Sequence, residues 1–263
     1  MKNNLQNYKT FHIFAKNYVM VNFELCANGF QSMINGVVGC ADCAELCEAL
    51  EVGGLTPSHE TLFNCQNAAR HIPVRVLIRC REGNYVYNNV EVETMCNDIR
   101  KVKDMGYEGV VIGALNDKGE LDTHAIKLMM EAGKGMKFTF HRAIDDSKNP
   151  FEIVEALIDL GFDKVLTSGC KPTAYEGIDT IRELQNRYGD KIKIMAGGGI
   201  NEDNIERILS ATGISNCHAS LASQTIEYRE DIYPDESLNE VKICKVSDVN
   251  RVKEIVSVIS TEA

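Results

Sequence analysis

Two short segments early in the chain each carry a carboxylate and a thiol two residues apart. Glu24 and Cys26 would share one face of a β-strand, as would Glu45 and Cys47, because strand side chains alternate between faces. Neighbouring strands lie about 4.8 Å apart, so two carboxylates and two thiols meet if both faces point into one core. Paired thiolates suit a soft ion such as Cu(I). The thiols could equally form a disulfide or pack as small buried hydrophobic groups.

Other ionisable and polar side chains follow later apolar segments. They are Arg79 and Arg81, His141 and Arg142, Thr167 and Ser168, and His218. Burying an unpaired charge is costly, so we expect these groups to pair with one another or with a ligand. A structural charge network is the alternative interpretation for any single member.

Proton transfer is one chemistry that these residues could perform. His141 is followed by Asp145, and a histidine beside an acid is a plausible proton-transfer unit near neutral pH. We expect Glu24, Glu45 or His141 to move protons and Asp145 to orient His141. Alternatively, the acid holds the histidine in place for structural reasons only.

A glycine run indicates where an anion would bind. Gly197-Gly198-Gly199 ends an apolar segment and precedes a helical pattern. Consecutive glycines let backbone N–H groups approach an anion, although glycine runs also form plain tight turns. With the three arginines, the run predicts a substrate site for a small anionic molecule.

The ten cysteines include the series Cys40, Cys43 and Cys47. A strand through this series would hold Cys43 and Cys47 apart, and the order does not match the Cys-x₃-Cys-x₂-Cys arrangement of radical enzymes. We therefore expect no zinc or iron–sulfur site there. Without a signal peptide pattern, the cysteines are interpreted as reduced thiols of a cytoplasmic protein.

Eight short β-rich runs, each followed by a helical pattern, must position these groups. The predicted strands are Val21–Leu25, Ala44–Cys47, Val74–Ile78, Gly109–Ile112, Lys137–Phe140, Lys164–Leu166, Ile192–Ala196 and Asn216–Ala219. Each gap has room for a crossover helix, which favours parallel strands. The alternation predicts a single α/β domain, a (β/α)₈ TIM barrel, whose site lies at the C-terminal strand ends.

Helical spacing supports this alternation. We predict helices at Glu91–Met105, Pro150–Leu160, Asn201–Leu209 and, last, near Val249–Ile259. Residues 225–245 are acidic and break the rhythm, so they are predicted to be an irregular excursion, either a lid over one barrel end or a plain surface loop.

Bulk properties exclude some classes of function. The 263 residues fit one barrel, and the net charge of −10 disfavours a nucleic-acid partner. No apolar run approaches the roughly 20 residues needed to cross a membrane. Residues 1–19 are predicted to be a disordered leader, with the barrel spanning residues 20–263. The sequence leaves a homo-oligomer open.

Several uncommon strings, in order, resemble the CutC family. They include Phe23-Glu24-Leu25-Cys26, Gly53-Gly54-Leu55-Thr56-Pro57-Ser58, Phe140-His141-Arg142-Ala143 and Leu166-Thr167-Ser168-Gly169. The resemblance runs from about Met20 to Ser220. It implies a TIM-type barrel associated with copper homeostasis and copper binding, and proposed Cu(I) ligands at the positions of Cys26 and Cys47.

The chain departs from the family pattern in three places. Cys80 stands where the family usually has proline, Cys43 replaces an arginine, and Gly198 replaces a common alanine. The two extra thiols are expected near the barrel mouth, which leaves the choice of metal-binding cysteines open.

Two functions follow from these residues and from the resemblance. The first is a Cu(I)-binding homeostasis protein without an organic cofactor. The second is an enzyme acting on a small anionic metabolite, with a phosphorylated one as an option.

Overall fold

A closed ring of parallel strands forms the centre of the molecule. The computed structural model describes residues 20–227 and 242–261. Within these residues, eight parallel strands pair in sequence order and the eighth closes against the first, with helices between them. The (β/α)₈ barrel is therefore confirmed.

The strand bounds follow the predicted runs closely. The barrel strands are β1 (Asn22–Asn28), β2 (Cys43–Cys47), β3 (Val74–Leu77), β4 (Gly109–Ile112), β5 (Lys137–Phe140), β6 (Lys164–Thr167), β7 (Lys193–Gly197) and β8 (Asn216–Ala219). The first strand runs three residues further than predicted, because its ladder with β2 continues to the pair Asn28 and Cys47.

Helices cover the outside of the ring. They are α1 (Gly29–Val38), α2 (His59–Cys65), α3 (Asn89–Asp104), α4 (Thr123–Ala132), α5 (Pro150–Leu160), α6 (Ile178–Tyr188), α7 (Ile205–Thr212) and α8 (Val249–Thr261). Short 3₁₀ helices lie at Leu50–Val52, Ala68–Arg70 and Arg142–Asp146.

Two of the predicted helices show how local capping sets a boundary. Helix α5 has the predicted bounds, because Asn149 caps it and Gly161 ends it in a left-handed conformation. Helix α7 begins four residues later than predicted. Asn201 and Asn204 bond nearby backbone N–H groups and form a turn there instead.

The acidic excursion is more regular than predicted. Its flanks form two antiparallel strands, β9 (Ala222–Glu227) and β10 (Lys242–Ser247). Ser247 ties this hairpin to α1, since its N–H donates to Ser32 Oγ at 3.1 Å and its carbonyl accepts from Asn35 Nδ2 at 2.7 Å. The middle of the excursion and the leader at residues 1–19 lie outside the described residues.

The strand register places chemical groups inside the ring. Glu24 lies opposite Cys43 of β2 and His218 of β8, and Cys26 lies opposite Glu45. These side chains are buried. Alternation therefore turns the carboxylate and thiol positions of β1 and β2 inward, as the spacing predicted.

Candidate functional site

A cavity of about 430 Å³, here called the mouth cavity, opens at the C-terminal ends of the strands. Ten predicted site residues line it: Cys26, Glu45, Cys47, Arg79, His141, Arg142, Asp145, Gly198, Gly199 and His218. The strand ends of a closed barrel all face one rim, which is why residues far apart in sequence meet here.

The thiols of Cys26 and Cys47 touch in the wall of the mouth cavity. Their sulfurs lie 3.8 Å apart, and both cysteines are free and buried. Leu77 and Val111 pack around the pair. The contact with Cys47 and then burial hold the pKa of the Cys26 thiol well above its usual range, so this thiol is protonated when nothing is bound.

Glu24 lies beneath the mouth cavity rather than in its wall. Its Oε2 accepts a hydrogen bond from Lys164 Nζ at 2.7 Å, and its Oε1 lies 3.1 Å from His218 Nδ1. It lines a smaller cavity of about 300 Å³ at the N-terminal strand ends. Glu24 therefore positions His218 and does not reach a ligand in the mouth cavity.

Charge pairing sets the protonation states of Glu24 and His218. Burial alone would raise the pKa of Glu24, but Lys164 and His218 outweigh it and hold that pKa well below its usual range. Burial alone would lower the pKa of His218, but Cys26 and Glu24 hold it well above its usual range. The barrel interior thus contains an ionised carboxylate between an ammonium and an imidazolium.

Glu45 is a buried carboxyl group in the wall of the mouth cavity, and it has no hydrogen-bond partner among the described residues. It makes no hydrogen bond to the described residues, and its Oε2 is buried and unpaired. Burial raises the pKa of Glu45 to about 7, with the His218 charge opposing that rise. A carboxyl group with this pKa can both accept and release a proton near neutral pH.

His141 is neutral and presents a hydrogen-bond donor. Its Nδ1 accepts a hydrogen bond from the Ala143 N–H at 3.1 Å, which assigns the ring proton to Nε2. That Nε2 is buried and unpaired. Burial, and next the Arg79 charge, lower the pKa of His141 to about 3.

The expectation that Asp145 orients His141 is wrong, because the carboxylate is fully used elsewhere. Asp145 accepts hydrogen bonds from Arg142 Nε at 2.8 Å, from the Thr167 hydroxyl at 2.5 Å and from the Ser168 N–H at 3.0 Å. Ser168 Oγ also accepts from Arg142 Nη2 at 2.8 Å. The acid, the threonine and the serine therefore hold Arg142 in position.

Arg79 reaches the mouth cavity but is largely bound to backbone carbonyls. Its Nη1 donates to Val52 and Gly54 at 2.9 Å each, while its Nε is buried and unpaired. The Tyr85 ring packs against both this guanidinium, at 5.1 Å, and the His141 ring, at 4.8 Å. The left-handed backbone of Gly53 and Gly54 turns these carbonyls toward Arg79.

Arg81 is not part of the mouth cavity. Its Nε donates to Glu91 Oε1 at 2.5 Å, and its other nitrogens bind carbonyls of its own loop. Glu91 also completes the capping box of α3 with Asn88. This arginine fixes the start of a helix.

The extra thiols are not near the mouth either. Cys43 faces Glu24 and Lys164 in the smaller cavity, at 3.5 and 3.9 Å, and Cys40 is exposed. Cys80 is half-buried beside Arg81 and outside the mouth cavity. The Cys40, Cys43 and Cys47 series thus forms no common site among the described residues.

A different group of side chains within the described residues has the spacing that a metal ion would need. Oxygen and nitrogen atoms of Glu24, Glu45 and His218 lie within 4.8 Å of one another. Lys164 already neutralises Glu24 there, and a second cation would be repelled by its ammonium. The thiol pair is therefore the better donor set for a soft ion.

Sequence reasoning missed Lys164 and Tyr85. Lys164 stands at the first position of a predicted strand, and a lysine inside an apolar run was the available signal. No sequence signal indicated that Tyr85, in the loop after β3, would pack against both Arg79 and His141. Both roles depend on contacts between residues distant along the chain.

No helix in the described part of the chain combines the length and the apolar character that a membrane crossing requires.

The CutC family model matches residues 21–223 of this chain. A CutC family protein of Porphyromonas gingivalis is 44% identical over 201 residues, which cover 76% of this chain and 81% of that protein. The copper homeostasis protein cutC homolog of Homo sapiens is 40% identical over 200 residues, covering 76% and 73%.

A solved structure agrees with these matches. The crystal structure of a CutC protein from Streptococcus agalactiae superposes with a TM-score of 0.72 at 30% identity. It covers 76% of this chain and 99% of that one. The matched residues include every barrel strand and the whole wall of the mouth cavity. This chain belongs to the CutC family.

Proposed function

We propose that the protein binds Cu(I) as cargo through Cys26 and Cys47. The observation that carries this proposal is the contact of their two sulfurs, 3.8 Å apart, in the wall of the mouth cavity. Two thiolates are the donors that favour Cu(I) over harder ions. The human relative's name, a copper homeostasis protein, supports the same cargo.

The surroundings of the pair suit a soft, monovalent ion. Leu77 and Val111 shield the sulfurs, and an apolar shell limits solvent access to the bound ion. Binding must displace thiol protons, because the pKa of Cys26 lies well above its usual range. Affinity for Cu(I) should therefore fall as pH falls.

A competition titration tests this proposal. The reduced protein is titrated with Cu(I) against a chromophoric chelator, in parallel with Cys26→Ser/Cys47→Ser. We expect the double variant to lose at least about a hundredfold in affinity, because hydroxyls replace both soft ligands. Cys65→Ser/Cys217→Ser is the matched control, since both of those thiols are fully buried away from the mouth cavity. Equal affinities in all three proteins would refute the site.

A second candidate is an enzyme that uses acid/base chemistry on a small anionic molecule. Four buried side-chain atoms are unpaired among the described residues, and three of them belong to Glu45, Arg79 and His141 in the wall of the mouth cavity. Buried polar groups are normally hydrogen-bonded, so this concentration of exceptions favours a polar ligand. A bound ion alone would leave these atoms unexplained.

Each of the three groups has a distinct role in this candidate. Glu45 is the proton acceptor, because its pKa of about 7 suits transfer near neutral pH. The neutral His141 and Arg79 donate N–H groups to an oxygen on which negative charge develops. Glu24 acts only through His218, as a positioning residue.

Thermal shifts with a panel of small phosphorylated and carboxylated metabolites test the second candidate. A ligand that binds only the folded state raises the midpoint of unfolding. Any metabolite found in this way is then followed by NMR for turnover. We expect Glu45→Gln to bind it but not convert it, and the exposed Glu51→Gln to behave as wild type. A flat response across the panel would count against this function.

A further inference from the structure

The turn after β7 presents a row of unpaired backbone donors to the mouth cavity. Gly198 and Gly199 have φ angles of 103° and 73°. Within the described residues, the N–H groups of Gly198, Gly199 and Ile200 make no hydrogen bond. The two glycine carbonyls are bound instead, to Ala174 N–H at 2.9 Å and Asn204 Nδ2 at 2.8 Å. The turn is therefore anchored by its acceptors, with its donors left available.

Arg142 is held against this turn. A Cβ atom added to Gly198 would lie 3.3 Å from Arg142 Nη1, so the guanidinium is in near contact with the turn. Its Nε and Nη2 donate to Asp145 and Ser168, whereas its Nη1 makes no hydrogen bond to the described residues. The arginine is therefore oriented by two bonds, and the third nitrogen is left for a ligand.

We propose that the N–H groups of Gly198, Gly199 and Ile200, together with Arg142 Nη1, bind the phosphate group of a small phosphate monoester. This names the substrate class for the second candidate function and rests on it. Successive N–H groups in a left-handed turn form a nest for an anion. A phosphate dianion offers three acceptor oxygens, which matches several donors converging with a fixed positive charge.

Glycine at position 198 is part of this proposal. A Cβ atom at position 198 would lie between the turn and Arg142. It would also lie 3.3 Å from the Ser168 Cβ. The left-handed backbone would be strained for any other residue. Glycine at position 198 therefore leaves the space between the turn and Arg142 open to a ligand.

The rest of the mouth cavity limits what the phosphate can be attached to. A volume of about 430 Å³ accommodates a small metabolite only. Arg79 and His141 line another part of the wall, and each has one buried nitrogen without a partner there. The remainder of the molecule is thus a short oxygen-bearing group, such as a carboxylate, that accepts hydrogen bonds from these two side chains.

Calorimetric titration in a phosphate-free buffer tests the cradle, with inorganic phosphate, 2-phosphoglycolate and glycolate as probes. We expect both phosphate compounds to bind wild type, and Arg142→Ala to lower the affinity for each by at least about tenfold. Gly198→Ala should lower both affinities by a similar factor. The control is Arg182→Ala, whose side chain is 44% exposed on α6 against 40% for Arg142. Circular dichroism confirms that each variant is folded.

The outcomes separate this inference from the function on which it rests. Absence of phosphate binding, or equal binding by wild type and Arg142→Ala, overturns the cradle. If glycolate binds while phosphate does not, and Glu45→Gln alters glycolate binding, the second candidate function stands and only the cradle fails. If no probe binds and the metabolite panel is also flat, both fail.

Discussion

At the scale of single residues, the two buried carboxyl groups differ in what surrounds them. Glu24 is ionised because Lys164 and His218 contact it, whereas Glu45 is unpaired and its pKa is raised to about 7. Two residues at equivalent sequence positions on adjacent strands therefore have opposite shifts in pKa. The roles proposed for them, positioning for Glu24 and proton transfer for Glu45, rest on this difference.

Glu24→Gln should destabilise the barrel strongly. The change leaves the Lys164 and His218 charges without their carboxylate in the interior, which costs about 3–5 kcal/mol for a buried pair. Urea unfolding near neutral pH measures the loss. Glu183→Gln removes an exposed partner of Arg187 and should change stability by less than about 1 kcal/mol. Comparable losses in the two variants would contradict the buried charge pairing.

Glu45 should make stability fall as pH rises. Its folded pKa of about 7 exceeds the ordinary value of 4.5, so its protonated form stabilises the fold fully below about pH 4.5 and this contribution is lost as pH rises through 7. The shift corresponds to about 3 kcal/mol. We expect Glu45→Gln to gain roughly that much relative to wild type between about pH 5 and about pH 8.

Urea unfolding at both pH values checks this expectation, with Glu51→Gln as the exposed control. A pH-independent difference between wild type and Glu45→Gln would show that the carboxyl group has an ordinary pKa.

At the scale of elements, the loops after the strands decide which polar residues reach the mouth cavity. The sequence predicted all eight strands and, for α5, both helix bounds, because apolar runs, caps and breakers are local signals. It did not indicate that Arg79 and Arg81 would have different positions. The first turns toward the mouth cavity and the second binds Glu91 at the start of α3, and only the loop path sets this difference.

Arg81→Ala should affect α3 and not the site. Losing the bonds to Glu91 and to the carbonyls of its loop should cost roughly 1–2 kcal/mol of unfolding free energy. Affinities for Cu(I) and inorganic phosphate should remain within about twofold of wild type, since neither proposed site contacts Arg81. Denaturant unfolding and the two titrations provide these values. A large loss of affinity for either probe, with unchanged stability, would show that Arg81 belongs to one of the two proposed sites.

At the scale of the whole molecule, the last helix completes the outer layer around the ring. Val252 of α8 is fully buried and packs tightly against Gly39, which follows α1. The hairpin of β9 and β10 joins the same region through Ser247. The start and the end of the described chain are therefore held together beside β1, the strand that carries Glu24 and Cys26.

Val252→Ala should lower global stability by about 2–3 kcal/mol, the cost of removing two buried methyl groups and leaving a cavity. Val38→Ala, at a position that is 53% exposed on α1, should have little effect. Thermal and urea unfolding compare the two variants. If Val252→Ala unfolds like the control, α8 does not contribute to the cooperative unit.

The sequence by itself determined the (β/α)₈ architecture and the inward face of β1 and β2, since periodicity and strand alternation are properties of neighbouring residues. It also identified ten of the twenty residues that line the mouth cavity, because polar side chains at the ends of apolar strands are unusual. Only the tertiary structure decided their partners. Lys164 reaches Glu24, Asp145 binds Arg142 rather than His141, and Glu45 is left unpaired, because closing the ring fixes distances between side chains that no local spacing specifies.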